Sequence, residues 1–248
     1  MKFAAAHPGK MGDLLYIIPT LRYIYEATGI PFDVYTSEYC APLKSLFEYQ
    51  KCVSQFIVAP DYKIERMDMG IQPAYVPIPN EQRYARIFQL GFRSEPDRML
   101  HQFIGEYAGI SEPLAIKYDY PKLTTVDWQL PYYVIAPRGK TTYEHIFNEL
   151  AQQRTCVVVG TESDYTGYGI NMTGKDFLET LSILSGASGF VGLMSSQLVL
   201  ANGFPIPRIG LNGLASDMRH AINYHLNYYP PLNASTSDII AILDKYNA

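Results

Sequence analysis

"HPGKMGDLLYIIPTLRYI", residues 7 to 24, decides how the rest of the chain is read. A P-loop of the Gly-x-x-x-x-Gly-Lys-Ser/Thr type wraps a phosphate in backbone amides and holds magnesium with its hydroxyl. Here Ala4 stands where the first glycine belongs and Met11 where the hydroxyl belongs, so the nucleotide-triphosphatase reading fails at two defining positions. What remains is a strand over residues 2–6, a turn carrying Pro8, Gly9 and Gly12, and a helix from Asp13. Asp13 is then either a helix N-cap, accepting from first-turn amides, or a carboxylate placed for chemistry.

Working outward, short apolar runs alternate with helical patterns. Residues 2–6, 32–36 and 53–58 read as buried strands, with helices near 13–28 and 39–49 between them, a parallel βαβ pattern. Pro19 falls inside the first helix and predicts a kink there, because it removes a backbone bond and crowds the preceding turn. Residues 60–79 are irregular. Ser94-Glu95-Pro96-Asp97 predicts an N-cap, followed by a helical apolar stripe of Met99, Leu100, Phe103, Ile104 and Tyr107 that suits a core face. From 111 to 131 the helical period is lost and prolines recur at 113, 121 and 131, marking a linker.

A second series follows. Residues 132–136, 155–159, 190–193 and 208–211 read as strands, 169–172 as one more, and 143–153, 176–187 and 195–202 as helices. The expected fold is α/β: two Rossmann-like domains, 1–125 and 126–248, facing a cleft where open parallel sheets bind ligands. A final helical pattern over 237–246 is placed to cross back to the first domain.

Composition narrows the function classes. The chain has 248 residues, is 48% hydrophobic and carries a formal net charge of -4, which supports real cores and disfavours a general nucleic-acid coat. No apolar stretch reaches membrane-spanning length, and the apolar start stops at His7-Pro8, so the expected compartment is the cytoplasm with no transmembrane segment. Cys40, Cys52 and Cys156 are scattered and read as reduced packing residues. The histidines lack metal-ligand spacing, and no Gly-x-Ser-x-Gly elbow supports a hydrolase. Arg83, Arg86, Arg93 and Arg98 cluster; the first two, three apart, share a face if the segment is helical. They are either a solvated face or an anionic acceptor site.

Two stretches resemble one family, the heptosyltransferase-like glycosyltransferases of family nine, which have the GT-B fold. "MGDLLYIIPTLR", residues 11–22, is similar to the family's strand-loop-helix opening. "NMTGKDFLETLSILSGASGFVGLMSSQLVLANGFPIPRIGL", residues 171–211, follows its Thr-Gly-Lys turn, Leu-rich helix, strand, phosphate-facing turn, small-residue helix and final strand. The resemblance implies transfer of a sugar from a nucleotide diphosphate sugar to an acceptor hydroxyl, inverting and without a metal or other cofactor. It gives Asp13 the role of general base, with Gly12 in the tight turn beside the ligand.

On the donor side the resemblance points to Thr173 and Lys175 near the nucleotide, and to Ser195, Ser196 and Gln197 at a helix start that offers free amides to a diphosphate. Arg138 and Lys140, in the loop after the second series' first strand, are placed to neutralise that diphosphate, and Glu162 and Asp164 follow a strand within reach of a ribose or solvent. Where the family usually reads Asp-Ser-Gly-Pro-x-His, this chain reads Met194-Ser195-Ser196-Gln197-Leu198-Val199. Two alternatives therefore stay open: a catalytically silent nucleotide-sugar-binding protein, and a transferase acting on a nucleic-acid or protein acceptor held by Arg83 and Arg86.

Overall fold

The computed structural model describes residues 2–59, 76–91, 99–122, 131–137, 143–193, 195–211, 227–228, 230 and 233–247. The expected N-cap at 94–97 and the residues Arg93, Arg98, Arg138, Lys140 and Met194 lie outside them. The chain divides into two units, Met1–Tyr120 and Pro121–Ala248.

In the first unit β1 (Phe3–Ala6), β2 (Phe32–Thr36), β3 (Val53–Val58) and β4 (Arg86–Gln89) form a parallel sheet in the order β3-β2-β1-β4. Register aligns Phe3 with Phe32 and Ala5 with Phe88, and the rings of Phe3, Phe32 and Phe88 pack 5.5 to 5.8 Å apart on one face. On the other face, alanines at positions 4 and 6 leave room for Tyr35, Val76, Ile78 and Tyr84. β1 thus shows no apolar-polar alternation: Phe3 is followed by three alanines that leave room for larger partners, because both faces are covered.

The expected single helix from residue 13 is corrected. Two helices occur, α1 (Met11–Leu15) and α2 (Ile18–Thr28), and Pro19 is the second residue of α2. At that position the missing N–H belongs to the first turn, which has no intrahelical acceptor anyway, so the chain breaks before proline instead of kinking at it. Gly29 closes α2 in the left-handed conformation at φ 69°, donating to Tyr25 O at 2.7 Å. The pattern over 39–49 becomes a 3-10 turn, Glu38–Leu43, running into α3 (Lys44–Tyr49). α4 (Leu100–Tyr107) buries Leu100, Phe103 and Ile104 of the predicted stripe.

The proline-rich segment after α4 is bound to the first unit by side chains. The Gln50 amide donates to Asp119 O at 2.9 Å and accepts from Asp119 N at 2.8 Å, while Arg22 meets the Asp119 carboxylate at 3.2 Å. Leu114 N donates to Gln102 Oε1 at 3.0 Å. A segment without regular structure must satisfy its backbone in this way.

In the second unit β5 (Tyr133–Ala136), β6 (Cys156–Val158), β7 (Ile170–Asn171), β8 (Gly189–Leu193), β9 (Arg208–Leu211) and β10 (Asn227–Tyr228) form a parallel sheet ordered β10-β9-β8-β5-β6-β7. Its core joins Ile135, Val191 and Ile209 of the strands to Phe147 and Leu150 of α5 (Glu144–Gln153) and to Ile239 and Leu243 of α8 (Thr236–Asn247). α8 is tied to α5 by Thr236 Oγ1 donating to Glu149 at 2.6 Å and by the Arg154–Asp244 pair at 2.9 Å. The remaining helices are α6 (Phe177–Ser185) and α7 (Ser196–Ala201), the former opened by a reciprocal Asp176–Glu179 capping box. No described helix is long and apolar enough to cross a membrane.

Each sheet is built outward from its first strand in both directions. β1 lies between β2 and β4, and β5 lies between β6 and β8. Each unit therefore has a topological switch point, flanked by the carboxyl ends of β1 and β4 in one and of β5 and β8 in the other, the place where such sheets open a crevice.

Candidate functional site

The turn after β1 runs directly into the first switch point. His7 N donates to Tyr35 O at 3.2 Å, so the turn begins as a continuation of the β1–β2 ladder. The His7 ring is fully buried, and its Nδ1 accepts the Gly9 N–H at 2.8 Å. An accepting Nδ1 carries no hydrogen, which leaves the proton on Nε2 and the imidazole neutral. Burial pushes its pKa from 6.5 down to about 3. The Gly9 carbonyl accepts from the Cys40 thiol at 3.4 Å, and burial raises the Cys40 pKa, keeping the sulfur a protonated donor. Gly9 is thus held through both its amide and its carbonyl.

Asp13 is half-buried at the third position of α1. It is not the N-cap, as the sequence suggested: Lys10 is, and Asp13 Oδ2 accepts the Lys10 N–H at 3.2 Å. The backward reach of an acidic third residue onto the cap amide is half of a capping box, and it fixes the carboxylate against the turn. Gly12 lies beside it in the same helical turn. Leu90 N donates to Ala6 O at 2.8 Å, so β4 ends directly beside the start of this turn.

Arg83 and Arg86 are elsewhere. They do not share a helix face: Arg83 lies in a 3-10 turn, Glu81–Arg83, and Arg86 opens β4. Ala85 N donates to Lys2 O, which puts both arginines at the amino edge of the sheet, opposite Asp13. Arg83 donates to the hydroxyls of Tyr35, at 2.7 Å, and Tyr84, and stands 3.6 Å from the buried Asp33 carboxylate. Tyr84 donates to Asp33 at 2.9 Å, so at the 2.8 Å contact between the phenols Tyr35 is the donor. The Arg86 guanidinium lies 4.6 Å from the Phe88 ring centroid.

In the second unit two turns meet at the carboxyl ends of β6 and β7. Gly160, at φ 132°, starts a turn in which Thr161 N donates to Asp164 Oδ2 at 2.7 Å. Gly174, at φ 76°, donates to Gly160 O at 2.9 Å, and a side chain there would come within 2.9 Å of Glu162 Cγ. Thr173 is fixed by Asn171, whose Oδ1 accepts the Thr173 amide at 3.0 Å and its hydroxyl at 2.7 Å. Lys175 pairs with Glu179 at 3.2 Å across one helical turn, an exposed i,i+4 pair.

Ser195, Ser196 and Gln197 begin α7 after β8, at the second switch point. The Ser195 hydroxyl oxygen is buried without a hydrogen-bond partner among the described residues, while Ser196 donates to Gln197 at 3.2 Å. Buried Arg208 donates to the carbonyls of Phe204, at 2.5 Å, and Ala201, at 3.3 Å, just past and at the end of α7, fixing the helix from its far side. No described cluster of three or more His, Cys, Asp or Glu side chains is arranged to hold a metal ion.

The sequence reading singled out Asp13, Thr173 and Ser195 but passed over His7, Asn171 and Cys40. Asn171 was legible in principle, since Asn-x-Thr ahead of a Gly-Lys turn is an Asx-type signal. The pairing of Gly9 with His7 and Cys40 depends on β2 lying beside β1.

No protein-family model matches this sequence, and no curated protein matches it. Solved structures do. The chain is similar to the iron-containing dodecameric glycosyltransferase TibC from enterotoxigenic E. coli, at 18% identity and TM-score 0.64 over 95% of this chain and 66% of that one. It is similar to E. coli heptosyltransferase WaaC with ADP-2-deoxy-2-fluoro heptose, at 14% identity and TM-score 0.65 over the whole of both chains. It is also similar to a glycosyl transferase family 9 protein from Veillonella parvula, at 10% identity and TM-score 0.69 over 99% and 97%. The chain spans just under two thirds of the length of TibC. At these identities the likeness establishes the fold, which is that of the heptosyltransferases.

Proposed function

We propose that this chain is a glycosyltransferase that moves a sugar from a nucleotide diphosphate sugar to an acceptor hydroxyl. The observation that carries the reading is the position of two groups on a glycosyltransferase fold: Asp13 at the switch point of the first sheet, and the Ser195–Gln197 turn at that of the second. In the proposed step the Asp13 carboxylate takes the acceptor proton as the hydroxyl oxygen bonds to the anomeric carbon. The anomeric carbon–oxygen bond breaks at the same time, and the nucleoside diphosphate leaves with the electron pair. A base on one face and a leaving group on the other inverts the anomeric centre.

The departing charge falls to the second unit. The Ser195 hydroxyl and the first amides of α7 donate to phosphate oxygens, and Arg138 and Lys140 supply positive charge from the loop after β5, so the step needs no metal. Gly12 lets the backbone approach the ligand closely. Thr173, held by Asn171, and Lys175 border the nucleotide. An ADP-heptose-like donor is the first to try, since WaaC was solved with ADP-2-deoxy-2-fluoro heptose. Arg83 and Arg86 contact the acceptor if it is anionic and long enough to reach the amino edge of the first sheet; salt-dependent acceptor binding, lost in Arg86→Ala, tests this.

One observation favours a second reading. Met194 and Val199 stand where the family usually has an acid and a histidine, and Val199 is buried, as a silent nucleotide-sugar-binding protein permits. A thermal-shift screen of nucleoside diphosphates and their sugar conjugates, followed by transfer assays with wild type and Asp13→Asn, separates the two. Transfer that disappears in Asp13→Asn while donor binding persists supports the base assignment. Binding without transfer or donor hydrolysis supports the silent protein, and no binding at all removes both readings. Because TibC is iron-containing, the assays include a chelator arm and an added-iron arm. Loss of transfer on chelation would overturn metal independence.

A further inference from the structure

His7 makes more contacts than a packing residue at the end of a strand requires. Its imidazole is fully buried and neutral, and its Nδ1 accepts the Gly9 N–H at 2.8 Å. A Cβ on Gly9 would lie 2.4 Å from His7 Cε1 and 2.8 Å from Asp13 Cβ, so one missing methyl group accounts for the closeness of both side chains to the same peptide. The next amide, Lys10 N–H, donates to the Asp13 carboxylate at 3.2 Å. Two successive hydrogen bonds thus run through the turn from the ring to the carboxylate.

The rest of the turn is held to β2 and to the 3-10 turn that follows it. Thr36 Oγ1 donates to His7 O at 3.4 Å, His7 N donates to Tyr35 O, and Cys40 donates to Gly9 O. Among the contacts of this turn, the imidazole is the one that takes the Gly9 N–H, which belongs to the Pro8–Gly9 peptide. The next peptide plane, Gly9–Lys10, carries both the Gly9 O that Cys40 holds and the Lys10 N–H that Asp13 accepts, so the ring and the thiol pin the two planes on either side of the Gly9 Cα.

We propose that His7 is a positioning residue for Asp13: its neutral imidazole pins the Pro8–Gly9 peptide while Cys40 holds the next one, and the turn so fixed presents the Lys10 N–H against which the Asp13 carboxylate rests. The chemical part of this proposal rests on the glycosyltransferase reading; the geometric part does not. A neutral ring suits the role, since a charged imidazolium would have to donate from Nδ1 and would lose the Gly9 N–H. His7 touches no reacting atom in this scheme. Its effect falls on turnover, leaving the donor's affinity for the second unit unchanged.

The test compares His7→Asn with His7→Leu in the full chain. An Asn side chain places its carbonyl oxygen near the Nδ1 position and keeps an acceptor for the Gly9 N–H; Leu fills the space without one. Amide hydrogen exchange at Gly9 and Lys10, read residue by residue by NMR, is expected to be accelerated about tenfold in the Leu variant and to stay near wild type in the Asn variant. With any donor and acceptor that show transfer, His7→Leu is expected to lower kcat at least about tenfold with donor KM unchanged, and His7→Asn to recover most of it. Equal exchange at both amides in the two variants overturns the positioning role. Accelerated exchange with unchanged kcat overturns its chemical part. If no substrate is turned over by wild type, the exchange arm still decides the geometric claim, and it is the glycosyltransferase reading that fails.

Discussion

His7 and Gly9 form a mutual lock: the ring accepts the glycine's amide at 2.8 Å, and the glycine lacks the side chain that would overlap the ring. The same relation brings Asp13 against the turn. Replacing Gly9 by Ala would force an atom to within 2.4 Å of His7 Cε1 and 2.8 Å of Asp13 Cβ, in a turn anchored on both sides. Gly9→Ala is expected to cost about 1–3 kcal/mol in urea unfolding, as overpacking of a fixed site does. Under the proposed chemistry it also lowers transfer without weakening donor binding.

Acid should act through the same ring. The folded His7 pKa is about 3, against 6.5 for the unfolded chain, so between these values the unfolded state holds a proton that the native state excludes. Stability from this group is complete above about pH 6.5 and falls as pH drops toward 3. At about 1.4 kcal/mol per pH unit, moving from pH 7 to pH 5 is expected to remove about 2 kcal/mol. His101, lowered by burial, adds in the same direction. Urea midpoints at the two pH values should differ accordingly in wild type and much less in His7→Asn; an unchanged difference would rule out His7 as the source.

Under the proposed function, the docked turns of the second unit predict a coupling between stability and nucleotide binding. Gly174 sits at φ 76° with Glu162 2.9 Å from the position of a Cβ, while its amide holds Gly160 O. Gly174→Ala is expected to cost about 1 kcal/mol from the left-handed backbone alone. By displacing Thr173 it should weaken the nucleotide about fivefold in a calorimetric titration. Lys175→Ala, whose partner Glu179 is exposed, tests whether the charge itself contacts the nucleotide.

Asp33 offers a contrast between a buried hydrogen bond and a screened ion pair. The carboxylate is buried, but Lys2 and Arg83 are 43% and 47% exposed, so their attraction is largely screened. The stronger dependence is that of the Tyr84 hydroxyl, which burial keeps protonated and which donates to Asp33. Asp33→Ala is expected to cost about 2 kcal/mol by leaving that donor unsatisfied. Asp33→Asn, which keeps an acceptor, should cost roughly half as much in the same unfolding experiment. Equal losses would shift the weight to the charges.

What the sequence determined by itself is local. Continuous apolar runs placed β1, β5 and β8 within a residue of their observed ends, as expected of strands covered on both faces, and shorter apolar runs interrupted at Asp33, at Ser54-Gln55 and at Arg208 placed β2, β3 and β9 as closely. Gly29 ended α2, and Asp176 with Glu179 opened α6, since caps are satisfied within a few residues of chain. Asp13 was visible as a carboxylate at the head of a helix after a strand.

Only the tertiary structure decided the rest. β4, four residues beginning with Arg86, carries too little apolar pattern to announce itself, and it exists because β1 offers it a ladder across more than eighty residues of chain. Without β4 the first sheet has no switch point, and Arg83 and Arg86 read as a helix face. His7 looked isolated in the sequence because its partners, the Gly9 amide and the closing wall from Tyr35 to Cys40, are oriented only once β2 lies beside β1. A hydrogen bond needs a direction as well as a residue type, and for this turn the direction comes from the packed sheet.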